Sequence, residues 1–480
     1  MTEWFPVDKR ACRRVPMSYV KRCVHMLLVC SAVVALFGHP SSLLGREKVP
    51  SPAGWPVHSV AMGSWLSSFG PKNVEMIPED SPLDFIAAFV DPDIEEVSPP
   101  TTARMMFSIL ESINAKPTLK PCRLMMVVHT ASMSEGWEKG EKDIRDLAIV
   151  RTHFQNLIQI VLLCEKHHLR HQKTSLPPYP AALVLNAGFF LQLQKQILNG
   201  MEHLSMGGSL PVNEALLDAL NSELEAEDLF ALLESRGWEG KIIPPFENSL
   251  AGLVRATNWM LRCLGPHTHF GWSIPFSWSV LISKNLIGKL GFCHQEHPPS
   301  FLAFHQCGSL GSLTDRESLP WNVTVWNKAM HYIDEVSQAS GLPIVLMNIS
   351  GAHLPLQDEA FLPSENQIST GVDFFFESSL KKDVSNLNPS LAAHSLFSDT
   401  VEEGHSEITV KDYLSEGGQG WKRCHLDDFR GLVAIIWGGY NMVGAIPSAT
   451  RPCFDDQGVL LKRIREYVNQ HTPPPQEKRD

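Results

Sequence analysis

From about residue 57 onward, short apolar runs alternate with longer stretches of helical periodicity. The runs fall at residues 59–62, 84–90, 124–128, 182–185, 268–274, 301–304, 344–347 and 432–437. Several are continuously apolar, as strands of a parallel sheet buried on both faces should be. Between them lie helical patterns at 102–113, 142–168, 213–235, 250–264 and 323–340, and another at 459–469 closes the series. In the second, Ile144, Leu147, Val150, Phe154, Leu157 and Val161 recur at three- and four-residue spacing. Eight runs separated by helices predict an α/β fold, and the number points to a single (β/α)8 barrel over residues 57–470. A doubly wound open sheet is the structural rival. No GxGxxG follows the first run, which disfavours its dinucleotide-binding form.

Two stretches break the alternation. Residues 200–245 read as an acidic helical insert after the fourth strand, and residues 355–429 as a long polar connection after the seventh. Barrels build their sites from such enlargements. Residues 39–56, rich in Ser, Pro and Gly, read as a linker, and residues 471–480 as a disordered tail.

Charge changes the picture at the N-terminus. Lys9, Arg10, Arg13, Arg14, Lys21 and Arg22 precede an apolar stretch from Val24 to Phe37. That layout belongs to a signal peptide or a type II signal anchor over residues 1–38, and implies entry into the secretory pathway. The 480-residue chain carries a net charge of −11. Residues 1–50 hold eight basic and three acidic residues, leaving 33 basic against 49 acidic, or −16, for the rest. An acidic body excludes a nucleic-acid footprint. The sequons Asn322-Val-Thr and Asn348-Ile-Ser fit a secreted glycoprotein, with Asn322 the expected carrier. The ten cysteines include no CxxC pair, so a sequence-local zinc site and a dense disulfide framework are excluded; one to three long-range disulfides remain open.

In a barrel, residues at the C-terminal strand ends converge on one mouth. Those positions are read as Asp91, His129, Asn186, His269, Trp272, His305, Asn348 and Trp437, with His353 just beyond. Four of the nine are histidines, and the two tryptophans suit stacking on a sugar ring. Asn348 is expected to be unglycosylated and to face the cleft.

Six segments resemble, in order, a group of secreted bacterial TIM-barrel proteins described as glycoside hydrolases. Leu185-Asn186-Ala187-Gly188-Phe189 is similar to that group's L-N-P-D-F, and Ala256-Thr257-Asn258-Trp259 to its A-I-N-W. Phe270-Gly271-Trp272-Ser273 resembles F-G-W-Q, and Met347-Asn348-Ile349-Ser350-Gly351-Ala352-His353-Leu354 resembles W-Q-I-P-G-G-H-L. Gly371-Val372-Asp373-Phe374-Phe375-Phe376 is similar to A-P-D-F-F-F, and Ala434-Ile435-Ile436-Trp437-Gly438-Gly439 to the final strand. The resemblance implies a carbohydrate substrate or ligand; no cofactor and no metal are expected.

Glycoside hydrolysis usually needs two carboxyl groups flanking the bond. The group's Asp in L-N-P-D-F is Gly188 here, and its Gln in the seventh-strand motif is Asn348. Asp91 and Asp373 are then the expected catalytic pair, with Glu247 a third acid. His129, Asn186, His269, Trp272, His305, Asn348, His353 and Trp437 are expected to contact the sugar. A barrel that binds carbohydrate without cleaving it is the first alternative. The second is a type II membrane glycosyltransferase holding Mn2+ at Asp91-Pro92-Asp93. His167 and His171, one turn apart, are read as a solvated helix face.

Overall fold

The computed structural model describes residues 48–66, 75, 77, 80–90, 98–116, 120–129, 144–172, 180–186, 210–226, 244–274, 276, 280–293, 296–304, 312–313, 321–354, 368–376, 386–393, 395–396, 408–415, 426, 429–439, 444–446 and 458–471. Residues 1–38, read as a targeting segment, and Asp91, Asp93, Gly188 and His305 lie outside them.

Eight parallel strands close into a barrel, so the fold is the (β/α)8 barrel expected. In chain order they are β1 (Ala61–Trp65), β2 (Phe85–Val90), β3 (Arg123–His129), β4 (Ala182–Asn186), β5 (His269–Ile274), β6 (Phe301–Phe304), β7 (Ile344–Ile349) and β8 (Leu432–Trp437). Each pairs with the next, and β8 returns to β1 through Ala61↔Ala434 and Met62↔Ile435. The helices are α1 (Pro99–Asn114), α2 (Leu147–Gln172), α3 (Val212–Ala226), α4 (Leu250–Leu264), α5 (Val280–Leu290), α6 (Val323–Ser340), α7 (Gly371–Phe376) and α8 (Val459–His471), apart from two short helical turns. α5 follows β5 where no helix was expected; its sequence, VLISKNLIGKL, mixes strand-favouring residues with a glycine. α2 is the one described helix long and apolar enough to cross a membrane. It packs against α1, α3 and α4 as part of the barrel's outer ring.

Strand alternation divides the core in two. Phe85, Ala87, Met125, Val127, Ala182, Val184, Phe301, Ala303, Val345 and Met347 fill the lumen. Ile86, Ala88, Leu124, Met126, Leu183, Leu185, Phe270, Trp272 and Ile274 face the helices. Two inward positions are glycines because the lumen is crowded. A Cβ on Gly63 would lie 2.4 Å from Ile436 Cδ1, and one on Gly271 2.4 Å from the Phe301 ring.

The helices end where their caps allow. Ser249 Oγ accepts the Gly252 N–H at 3.1 Å to start α4. Asn322 Oδ1 accepts the Val325 N–H at 3.0 Å to start α6, which Gly341 stops in the left-handed conformation at φ 70°. Asn322 is the residue expected to carry a glycan. It is 8% exposed and serves as a helix cap.

Part of the stretch read as a linker is structural. Trp55, 3% exposed, closes the N-terminal end of the barrel. Its ring lies 4.7 Å from Phe85, 5.4 Å from Phe301 and 5.9 Å from His269, centroid to centroid. Arg123 donates to Gly54 O, and His269 Nε2 lies 2.9 Å from Ala53 O. The four cysteines described, Cys122, Cys164, Cys263 and Cys293, are unpaired. Burial pushes the Cys122 thiol up to about 12, so it is inert as a nucleophile.

Candidate functional site

The C-terminal ends of β3 and β4 bring His129 and Asn186 together as register partners. They stand two residues beyond Val127 and Val184, both lumen residues. Both thus stand at the C-terminal ends of adjacent strands, the positions along the chain where the sequence reading put them.

β7 holds the most distinctive backbone at the mouth. Its register against β8 runs Met347↔Ile436 and then Ile349↔Trp437, so Asn348 is an extra residue. Its φ is 58°, the one positive φ at a non-glycine residue among the described residues. The bulge reverses the alternation: Met347 belongs to the lumen and Ile349 to the outer layer. Asn348 itself is 3% exposed. Asparagine tolerates the left-handed region better than most residues, at a cost of roughly 1 kcal/mol. Bulges and strained residues gather at barrel rims beside functional sites. Beyond the bulge, Gly438 N donates to Ile349 O at 2.7 Å, with Gly438 and Gly439 at φ 84° and 154°.

Asp373 sits on α7, 7% exposed. Its Oδ2 accepts the Leu354 N–H at 3.2 Å, which ties the half-buried His353 and the segment after β7 to α7. α7 is held in turn by Trp326. That ring stacks on Phe374 at 5.2 Å and 14°, and its Nε1 donates to Thr370 Oγ1 at 2.8 Å. The structure thus brings Asp373, His353 and the β7 end into one locked assembly.

Three residues read as mouth positions stand elsewhere. His269 opens β5 instead of ending it. It lies at the plugged end, with Nδ1 3.2 Å from Ser300 Oγ. Burial above all lowers its pKa to about 4; Arg262, Arg123 and His168 lower it further, against the Ala53 carbonyl. Trp272 sits mid-strand on the outward alternation, 3% exposed, and its Nε1 donates to Asn258 Oδ1 on α4 at 2.8 Å. Trp437 does end β8, but its ring lies in the outer layer, fully buried, 5.9 Å from Phe375 and 5.5 Å from Phe376. Neither tryptophan offers a face to a sugar. The reason is parity, since each follows an inward-facing residue, Gly271 and Ile436, and so falls on the outward alternation.

An aromatic pair at the mouth escaped the sequence reading. Trp65 and Phe89, near the ends of β1 and β2, stack at 4.1 Å and 18°. Trp65 is 4% exposed and Phe89 half-buried. Both continue lumen alternations, Trp65 after Ala61 and Gly63, Phe89 after Phe85 and Ala87. That parity was the available signal once strand ends were known. Beside them Ser64 Oγ accepts the Ala445 N–H at 2.9 Å and the Ile446 N–H at 3.3 Å, drawing the segment after β8 onto β1.

No family model matches the sequence, and no curated protein matches it. Solved structures similar to it include a glucosidase from Croceicoccus marinus, at 11% identity and TM-score 0.39, covering 88% of this chain and 68% of that one. A fungal β-1,4-galactanase shares 8% identity at TM-score 0.37, covering 85% and 99%. A broad-specificity endoglucanase from Bacteroides salanitronis shares 10% at TM-score 0.37, covering 90% and 99%. Likenesses this distant are to glycoside hydrolase barrels and say nothing of which chemistry this chain performs.

Proposed function

We propose that the protein is carbohydrate-active through the C-terminal mouth of its barrel. The observation that carries this is the left-handed bulge at Asn348, kept at the rim of the mouth while Trp55 closes the other end. The ordered motif resemblance from Asn186 to Gly439 supports a glycan as the ligand. In the hydrolytic reading, Asp91 and Asp373 flank the glycosidic bond. One carboxyl group protonates the departing oxygen, and the other, ionised, acts on the anomeric carbon directly or through water. His129, Asn186, Asn348 and His353 would position hydroxyl groups, and Phe89 on Trp65 would offer an aromatic face.

A second reading, binding without cleavage, is favoured by the Asp373 carboxylate, which is buried and bonded to the Leu354 N–H. Reducing-end release from a panel of polysaccharides separates the two. Hydrolysis requires activity in the unsubstituted protein and a loss of at least ~100-fold in Asp91→Asn and Asp373→Asn. Binding of oligosaccharide with no release by any of the three proteins establishes the second reading. No binding at all refutes both.

We also read residues 9–38 as the targeting segment that places the barrel in the secretory pathway. Deleting residues 1–40 should leave the protein in the cytosol; arrival in the lumen without them would refute this.

A further inference from the structure

α1 and α2 both run from the mouth towards the plugged end of the barrel, and they pack against each other. Near their C-terminal ends, three potential metal ligands converge. The spacing of His167 and His171 puts them one turn apart on α2, and their Nε2 atoms are 3.0 Å apart. Glu111 of α1 brings Oε1 to 3.8 Å from His167 Nε2. The three ligand atoms all lie within 4.8 Å of one another. Tetrahedral zinc, with bonds of roughly 2.0–2.2 Å to nitrogen and oxygen, needs its ligand atoms about 3.4 Å apart. The cluster is close to that spacing already. The reading of His167 as part of a solvated helix face is corrected here: it is 9% exposed, and its ring packs on Phe107 of α1 at 4.6 Å.

We propose that Glu111, His167 and His171 bind a divalent transition-metal ion of the zinc class, which joins α1 to α2 at the end of the barrel away from the mouth. Two imidazoles and one carboxylate are a borderline donor set suited to zinc, and water completes the tetrahedron. Without metal, the two Nε2 atoms share a hydrogen bond, so one ring carries its proton there. Metal binding needs both lone pairs. The donating ring therefore takes its proton on Nδ1 instead, and both imidazoles stay neutral. Arg170 competes for Glu111, with Nη1 3.0 Å from Oε1. Its side chain is 63% exposed and the carboxylate keeps a second oxygen, so Arg170 turns to solvent when the ion enters.

Metal-free full-length protein is titrated with zinc chloride by calorimetry and with cobalt chloride by absorption. The expected result is one tight equivalent, a visible cobalt spectrum without a thiolate charge-transfer band, and a raised Tm. His171→Ala and Glu111→Gln, each checked for native circular dichroism, should weaken binding at least ~10-fold. Three results would each overturn the proposal: no binding at millimolar zinc, equal affinity in the folded His171→Ala variant, or a thiolate band showing that cysteines hold the ion. Oligosaccharide binding is measured in the same variants and should not change, which keeps this site's fate separate from that of the mouth.

Discussion

At the plugged end of the barrel, two buried carboxylates are given fixed partners. Asp84 accepts the Met62 N–H at 3.1 Å and the Lys120 ammonium at 2.6 Å. Glu165, 1% exposed, takes the His267 N–H at 3.0 Å, lies 2.9 Å from His267 Nδ1 and takes the Thr268 hydroxyl at 2.9 Å. At the mouth, Asn348 is held at a backbone cost in a left-handed bulge, with Gly438 and Gly439 at positive φ beside it. The contrast is the division of labour common to these barrels, with stability concentrated at the N-terminal face and function at the C-terminal one. Histidine shows it within a single residue type. His269 is a latch under the plug, whereas His129 stands at the rim.

If that division is right, the largest losses of stability come from the plugged end. Trp55→Ala empties the space between Phe85 and Phe301, and should cost about 4 kcal/mol in chemical denaturation. An effect under about 1 kcal/mol would show that Trp55 is not part of the core. Glu165→Ala leaves the His267 amide and the Thr268 hydroxyl without their acceptor, and should cost about 3 kcal/mol. Neither change should alter oligosaccharide affinity once the fold is saturated.

pH tests two buried histidines, His269 at the plugged end and His153 near the start of α2. The folded pKa of His269 lies near 4, below its ordinary 6.5, and that of His153, buried in α2, is lowered to about 4 by burial alone. A depressed histidine favours the fold while neutral. Its contribution is complete above pH 6.5 and is lost as the pH falls from 6.5 towards 4. Between pH 6.5 and 5, each should lose roughly 2 kcal/mol of stability. His269→Asn should flatten part of that slope; an unchanged slope would remove His269 from the account. The smallest effect belongs to the mouth. Asn348→Ala should cost about 1 kcal/mol from its left-handed backbone, while Asn348→Gly costs less than half of that. Equal costs would mean that the bulge is not strained.

The barrel was legible because its strands are nearly continuous apolar runs, and β6 and β8 fall at the expected residues, 301–304 and 432–437. The mouth was legible where a strand ended close to the expected residue, as at His129 and Asn186. It was misread where a residue's place within a strand was misjudged. β5 runs from His269 to Ile274, close to the expected 268–274, so His269 stands at its N-terminal end and Trp272 at its middle, neither at the mouth. Parity then decides everything: Gly271 and not Trp272 faces the lumen. The bulge at Asn348 had no signature in composition, since a tolerated asparagine looks like any other. Trp65 was missed because β1 was ended at Met62, three residues short. The Trp55 plug lay in a segment whose Ser, Pro and Gly content read as a linker.

Oligosaccharide titration by calorimetry of the unsubstituted protein, Phe89→Ala at the mouth and Lys120→Ala at the plugged end tests the central claim most directly. The first should bind, Phe89→Ala, folded by circular dichroism, should bind at least ~10-fold more weakly, and Lys120→Ala should bind as the unsubstituted protein does. Binding that survives Phe89→Ala but is lost in folded Lys120→Ala would place the glycan at the other end and contradict the assignment of function to the mouth.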